Sequence, residues 1–396
     1  MFTAQHAGSF GEKIMIQAGV IGVGQTKYDA KRRDVSMGGL VREAINNAML
    51  AANVEWDAID AVILGKAPDM FEGVVMPELY LADAIGAVGK PVLRVHTAGS
   101  VGGSTGVIAA THVCSGQFKT VLTVTFEKQS ESNATWALSP RYPYSPHINA
   151  GAGGYFAPFI REYIRRYDAP EHIGWKVAVK DRLNALKNPL AHLHILGIDE
   201  KMVSETPMLW EPLRYLESCP SSDGACAMVI TSKDLVGSRD VAWIKGMGVR
   251  SEGTLSAGRD EVNPQAGIDC AKDIYDQAGI TNPYKEIDCA EIYVPFSWYE
   301  PMWLENLGFC DLGEGWKLTD NDATTLDGEM PFNMSGGVMS SNPIGASGMI
   351  RFGEAALQVM GKAEDHQVED AKVAMGHAYG GAAQFFAMWI VSSSLD

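Results

Sequence analysis

No Cys-x-x-Cys pair, no Lys/Arg run longer than three residues, and no uninterrupted apolar stretch near the ~18–20 residues of a membrane-spanning helix occur in these 396 residues. Each absence removes a class of protein. The six cysteines, Cys114, Cys219, Cys226, Cys270, Cys289 and Cys310, are scattered, with no histidine pair at zinc-ligand spacing. They read as reduced, buried thiols, not as a metal site or a disulfide framework. Basic residues are outnumbered, 32 Lys and Arg against 48 Asp and Glu, and the net charge of −16 argues against a general nucleic-acid binder. An anionic substrate then needs a local basic patch. Arg141, Arg161, Arg165, Arg166, Lys180 and Arg182 are the candidates, although each alone reads as part of a solvated face. Residues 1–17 lack the apolar core of a secretory signal and read as a flexible leader; with no membrane span, the expectation is a cytoplasmic protein.

What is present is a chain that is 46% hydrophobic, enough for a large core. Its most telling segment is VHTAGSVGGSTGVIAA at 95–110, a Gly/Ser-rich loop running into an apolar helix. Such a loop aims backbone N–H groups and a positive helix end at a reacting oxygen, and often carries a nucleophile at its turn. The residue at the turn is Ser100, not cysteine. Helix capping is the plainer role for its hydroxyl.

The pattern of residues 40–65 returns at 268–294. A helix with apolar spacing of three and four is followed by Ile-Asp and a buried strand, Ile59–Asp60 matching Ile287–Asp288. Gly103–Gly106 before VIAATHVCSG likewise matches Gly345–Gly348 before MIRFGEAALQVMG, and each helix precedes an apolar strand. The reading is two duplicated α/β halves with mixed sheets: 18–238, interrupted by an inserted region at 127–220 that covers a substrate cleft, and 239–396. The same offset pairs Ser100 with Asn342, bringing two glycine-rich helix starts face to face.

Five segments in this order, VHTAGSVGGSTG, CPSSDGACAMVI (219–230), EIYVPFSWYE (291–300), SGGVMSSNPIGASG (335–348) and GHAYGG (376–381), resemble the thiolase superfamily. More narrowly, they are similar to its sterol-carrier and lipid-transfer thiolase-like branch. The resemblance implies a five-layered αβαβα thiolase fold, acyl-CoA substrates, and a homodimer or a heterodimer with a thiolase-like paralogue. It also exposes losses. Ser100 stands where thiolases keep a nucleophilic Cys, Asn342 where they keep the His of His-Pro-x-Gly, and Tyr293 where a further His stands. His377 and Tyr379 flank the place of a second Cys. Bacterial steroid side-chain aldolases share the Tyr-for-His change. They work with a small OB-fold, zinc-ribbon acyl-CoA-associated partner.

Without Cys and His, a covalent acyl-enzyme is hard to form, because a serine hydroxyl needs an activating base. A retro-aldol cleavage of a β-hydroxyacyl-CoA, such as a steroid side-chain thioester in sterol catabolism, needs none. The expected roles are Tyr293 as acid/base aided by His377, a proton relay among His96, His377 and Tyr379, and Asn342 with backbone N–H groups near Gly102, Gly103, Gly345 or Gly381 as oxyanion donors. No metal and no cofactor is expected on the chain; the CoA thioester is substrate. The rivals are an acyltransferase using Ser100 and a non-catalytic subunit of a heteromeric complex.

Overall fold

The computed structural model describes residues 17–67, 71–132, 151–253 and 258–395. The chain begins with β1 (Ala18–Gln25), α1 (Met37–Ala52), β2 (Ala61–Gly65), β3 (Val92–Val95), α2 (Val101–Cys114) and β4 (Thr120–Lys128). Helices α3 (Gly151–Tyr167) and α4 (His172–Ala185) and a small hairpin, β5 (Met208–Trp210) and β6 (Leu213–Arg214), come next. β7 (Asp223–Ser232), β8 (Ala242–Ser251), α5 (Gln265–Ala278), β9 (Cys289–Glu291), α6 (Tyr299–Asn306), α7 (Ile344–Val359), β10 (Val373–Gly380) and β11 (Phe385–Ser392) complete the order; shorter helices are left unlabelled.

The duplication is visible in the topology. The large sheet runs β3-β2-β4-β7-β1-β8-β11-β10-β9. Its first part, β2-β4-β7-β1, is reproduced by β9-β10-β11-β8: one parallel pair, then two antiparallel ones. The two halves are joined edge to edge through two residue pairs, Gly19–Trp243 and Val20–Ala242. Both halves therefore form one nine-stranded sheet.

Helix positions follow from sequence pattern. α1 begins at Ser36, whose hydroxyl accepts from the Gly39 N–H, and stops at Asn53 in the left-handed region, φ 49°. Its apolar stripe, Leu40, Val41, Ala44, Ile45, Ala48, Met49 and Ala52, is buried on β1, β4 and β7. α5 packs in the same way on β8 and β11. α2 and α7 are buried nearly all round, touch each other, and touch strands of both halves. The resulting layers are α1, first half-sheet, α2 with α7, second half-sheet and α5. This is the five-layered thiolase arrangement.

Glycine makes the central layer possible. A Cβ on Gly102 would lie 2.3 Å from the Met349 nitrogen, and one on Gly348 would lie 2.7 Å from the Gly103 nitrogen. The two helix starts cross at backbone contact. Described parts of 151–220 pack α4 onto the short helix at 337–340 and place the hairpin beside α3. Residues 1–16, the segment WALSPRYPYSPH and Arg141 lie outside the described residues. Among the described residues, no helix is long and apolar enough to cross a membrane.

Candidate active site

The turn before α2 brings Ser100 fully out of solvent. Its hydroxyl donates to the Thr97 carbonyl at 2.7 Å and lies 3.0 Å from the Thr97 hydroxyl. It makes no capping bond to α2, so the capping expectation is corrected: the side chain closes its own turn. No imidazole or carboxylate bonds it among the described residues.

Tyr293 does not lie on a strand, as its apolar neighbours suggested; β9 ends at Glu291 and the tyrosine follows in the loop. Four bonds and contacts fix that loop. The Asn333 side chain accepts the Ile292 N–H at 2.9 Å, His377 Nδ1 accepts the Tyr293 N–H at 3.2 Å, and Trp303 Nε1 donates to the Tyr293 carbonyl at 2.9 Å. The Tyr379 ring meets the Tyr293 ring edge-on at 5.3 Å. The Tyr293 hydroxyl donates to Asn342 Oδ1 at 3.3 Å. Burial raises its pKa above the ordinary tyrosine value, so it rests as a neutral phenol.

Burial pushes His377 down to about 3, so it is neutral. Its Nδ1 holds backbone, not the Tyr293 hydroxyl, and its Nε2 has no partner among the described residues. His96 is exposed at the end of β3. The His377 ring therefore does not relay a proton to the Tyr293 hydroxyl. The Tyr379 ring stacks on Tyr299 at 5.6 Å, and burial raises its pKa as well.

Asn342, just before α7, is the hub. Its Oδ1 accepts from the Ser347 hydroxyl at 2.8 Å as well as from Tyr293. That orients the amide so that Nδ2 donates to Cys219 Sγ at 3.1 Å. Its backbone N–H donates to Ser222 Oγ at 3.0 Å, and its carbonyl accepts from the Gln129 side chain. Asn342 and Cys219 line a cavity of about 480 Å³ whose walls come largely from the inserted region, including Arg182, Leu209, Trp210 and Leu216. Tyr293, His377, Tyr379 and Ser100 do not line it; they stand behind Asn342.

The glycine expectations need correction. Gly345 N–H donates to Glu127 Oε2 at 3.0 Å, and Glu127 in turn pairs with Lys66 at 2.7 Å. The positive end of α7 is thus already met by a carboxylate. A Cβ on Gly102 would meet the α7 backbone, and one on Gly103 would meet Ala378 of β10, Ala387 of β11 and Phe352 of α7, which makes both glycines packing contacts, not a cradle for a substrate oxygen. Gly381, at φ +62°, forms the turn between β10 and β11. A Cβ on its neighbour Gly380 would lie 2.4 Å from the Ser100 nitrogen, so this turn packs onto the Ser100 loop.

Two residues outside the expected constellation reach the cavity. Cys219 is half-buried, as are Cys114 and Cys310, so three thiols are less enclosed than expected. Burial lifts the Cys219 thiol to about 11 against the pull of Asn342 and Arg182. Arg182 was grouped with solvated basic residues, yet it and Lys180 are buried, while Arg165 and Arg166 make surface ion pairs with Glu162. The signal for Arg182 lay in its helix pattern: Ala178, Asp181, Arg182 and Ala185 share one buried face.

Comparison with known proteins fits this geometry. Residues 249–393 match the thiolase C-terminal domain-like family. The chain is 29% identical to an acetyl-CoA acetyltransferase of Methanothermobacter thermautotrophicus over 96% of its own length and 100% of that protein. It is 28% identical to sterol carrier protein 2 of Homo sapiens, over 91% of this chain and 69% of that one. Among solved structures, one described as the Ltp2-ChsH2(DUF35) aldolase superposes with a TM-score of 0.82 at 25% identity, covering 96% of this chain and 99% of that chain. The C-terminal match, the sterol-carrier relative and the aldolase superposition together support the thiolase superfamily and its sterol-carrier and lipid-transfer thiolase-like branch.

Proposed function

We propose that the chain is a carbon–carbon lyase that cleaves a β-hydroxyacyl-CoA by retro-aldol chemistry, giving a ketone or aldehyde and a shorter acyl-CoA. One observation carries the reading. The Ser100 hydroxyl, at the place of the thiolase nucleophile, is bonded to the Thr97 backbone carbonyl and has no activating base among the described residues, while Asn342 lines the cavity with the Tyr293 hydroxyl bonded behind it.

Retro-aldol cleavage is proton-neutral. The Cα–Cβ bond breaks, the β-hydroxyl becomes a carbonyl, and its proton ends on Cα. The thioester oxygen carries the enolate charge in between. Asn342 Nδ2, at the cavity wall, supplies a hydrogen bond to that oxygen. We assign the proton exchange to Tyr293, behind Asn342: it gives its proton to Cα in the same step as it takes the one leaving the β-hydroxyl, so that no free phenolate is needed. His377 positions Tyr293 through its backbone N–H.

The cavity volume and its apolar walls suit a bulky acyl group, with a steroid side chain as the proposed case. By analogy with the Ltp2-ChsH2(DUF35) aldolase, a DUF35 protein is the proposed partner, and the family resemblance implies that it is a small OB-fold, zinc-ribbon protein. A second reading, acyl transfer through Cys219, has one observation in its favour, the thiol beside Asn342. Its raised pKa and lack of a base weigh against it. The deciding experiment gives the protein, with its partner, a β-hydroxyacyl-CoA in the absence of free CoA. Ketone or aldehyde release is expected, and Tyr293→Phe should reduce it by about 10²–10⁴. A strict need for free CoA, with an acyl adduct on the intact mass, would establish the transferase instead.

A further inference from the structure

Buried lysine and arginine side chains have acidic partners, with one exception among the described residues. Lys66 meets Glu72 and Glu127, Lys180 meets Asp181 and Glu300, and Arg351 meets Glu291. Arg182 is 1% exposed and has no carboxylate partner among the described residues. Its guanidinium donates to the Ala178 carbonyl at 3.4 Å and the Ser218 carbonyl at 3.1 Å, and its Nε is unpaired. Asp181, next in sequence, is turned towards Lys180 and Asn333. Burial lowers Arg182 to about 10, which leaves it cationic at neutral pH.

An unpaired buried charge is costly, and such charges are retained where something pairs with them. Arg182 lines the cavity that holds Cys219 and Asn342. The rest of that wall is mainly apolar, with Leu209, Trp210, Leu216 and Phe296, and no Asp or Glu lines it among the described residues. A planar guanidinium in a low-dielectric wall suits a carboxylate, which it binds through two parallel hydrogen bonds.

We propose that Arg182 binds a carboxylate carried by the acyl part of the substrate, so that the site selects CoA thioesters of acids bearing a second acidic group. The proposal rests on the acyl-CoA reading above, and puts an acyl group that carries a carboxylate in place of a wholly apolar steroid side chain. It adds what lies beyond the thioester. Arg182 holds the Ser218 carbonyl and Asn342 holds the Cys219 sulfur, on residues about 3.8 Å apart along the backbone. An acyl chain of a few carbons spans from a thioester oxygen at Asn342 to a carboxylate at Arg182. The phosphates of CoA are the other source of negative charge, but the pantetheine arm separates them from the thioester.

The test is calorimetric binding of glutaryl-CoA, pentanoyl-CoA and free CoA to the wild type, Arg182→Gln and Arg182→Lys, with folding checked by circular dichroism. The wild type is expected to bind glutaryl-CoA at least tenfold more tightly than pentanoyl-CoA. Arg182→Gln should abolish that preference, and Arg182→Lys, which keeps the charge and guards against loss of fold, should retain part of it. Equal affinities in the wild type overturn the proposal alone. A loss shared equally by both thioesters and free CoA in Arg182→Gln assigns the arginine to a CoA phosphate and also overturns it. Binding of neither thioester overturns the proposal together with the acyl-CoA reading.

Discussion

At the residue scale, the question is what each side chain at the glycine loop is bonded to. Ser100 is committed to Thr97, so Ser100→Ala removes a turn-closing bond and no reacting group. Its expected effect is a fewfold change in turnover and about 1 kcal/mol of stability, read from product formation and urea denaturation. Abolished turnover would restore Ser100 as nucleophile. Tyr293 and Asn342 were legible as a pair because each stands where a motif changes residue type. The protonation state of Tyr293 was not legible, because it follows from burial by elements far apart in sequence. Arg182 was similarly hidden: composition shows a basic residue, and only the packing of its helix shows that it has no acid beside it. Gly345 misled because a glycine before a helix looks like an anion cradle, while the carboxylate that fills it, Glu127, comes from β4.

At the element scale, α2 and α7 decide whether the two halves meet. Their duplication was readable because helix and strand followed each glycine motif in the same order twice. The reason for the glycines was not readable, since the partner surface of each motif is the other copy. Gly102→Ala places a Cβ 2.3 Å from a backbone nitrogen that cannot rotate away, so α2 and α7 must part. The expected loss is about 1–3 kcal/mol. Gly38→Ala in α1, where the nearest atom is 3.4 Å from the new Cβ, is expected to be neutral or mildly stabilising. Equal midpoints for the two variants in urea denaturation would remove the close crossing as the reason for these glycines.

At the scale of the whole molecule, buried ionisable groups make stability depend on pH with opposing signs. Glu217, raised by burial to about 7, holds a proton in the folded state where the unfolded chain does not, so it favours folding as pH falls towards the ordinary carboxylate range. His377 acts the other way. Its folded pKa of about 3 lies below the ordinary value of 6.5, so between these limits the unfolded chain binds a proton that the folded one refuses. Stability due to His377 is therefore present above pH 6.5 and lost as pH falls towards 3. The loss is about 1.4 kcal/mol per pH unit, or roughly 2 kcal/mol between pH 6.5 and 5. The opposing carboxylates hide this in a single stability curve, and a variant isolates it. His377→Asn offers a side-chain oxygen to the Tyr293 N–H but does not titrate. Urea denaturation of both proteins at pH 7.5 and 5.0 should show the wild type losing about 2 kcal/mol more than the variant on acidification. Parallel losses would mean that His377 is protonated in the folded state. Its Nδ1 would then be unable to accept the Tyr293 N–H, and the loop that aims the phenol would need another support.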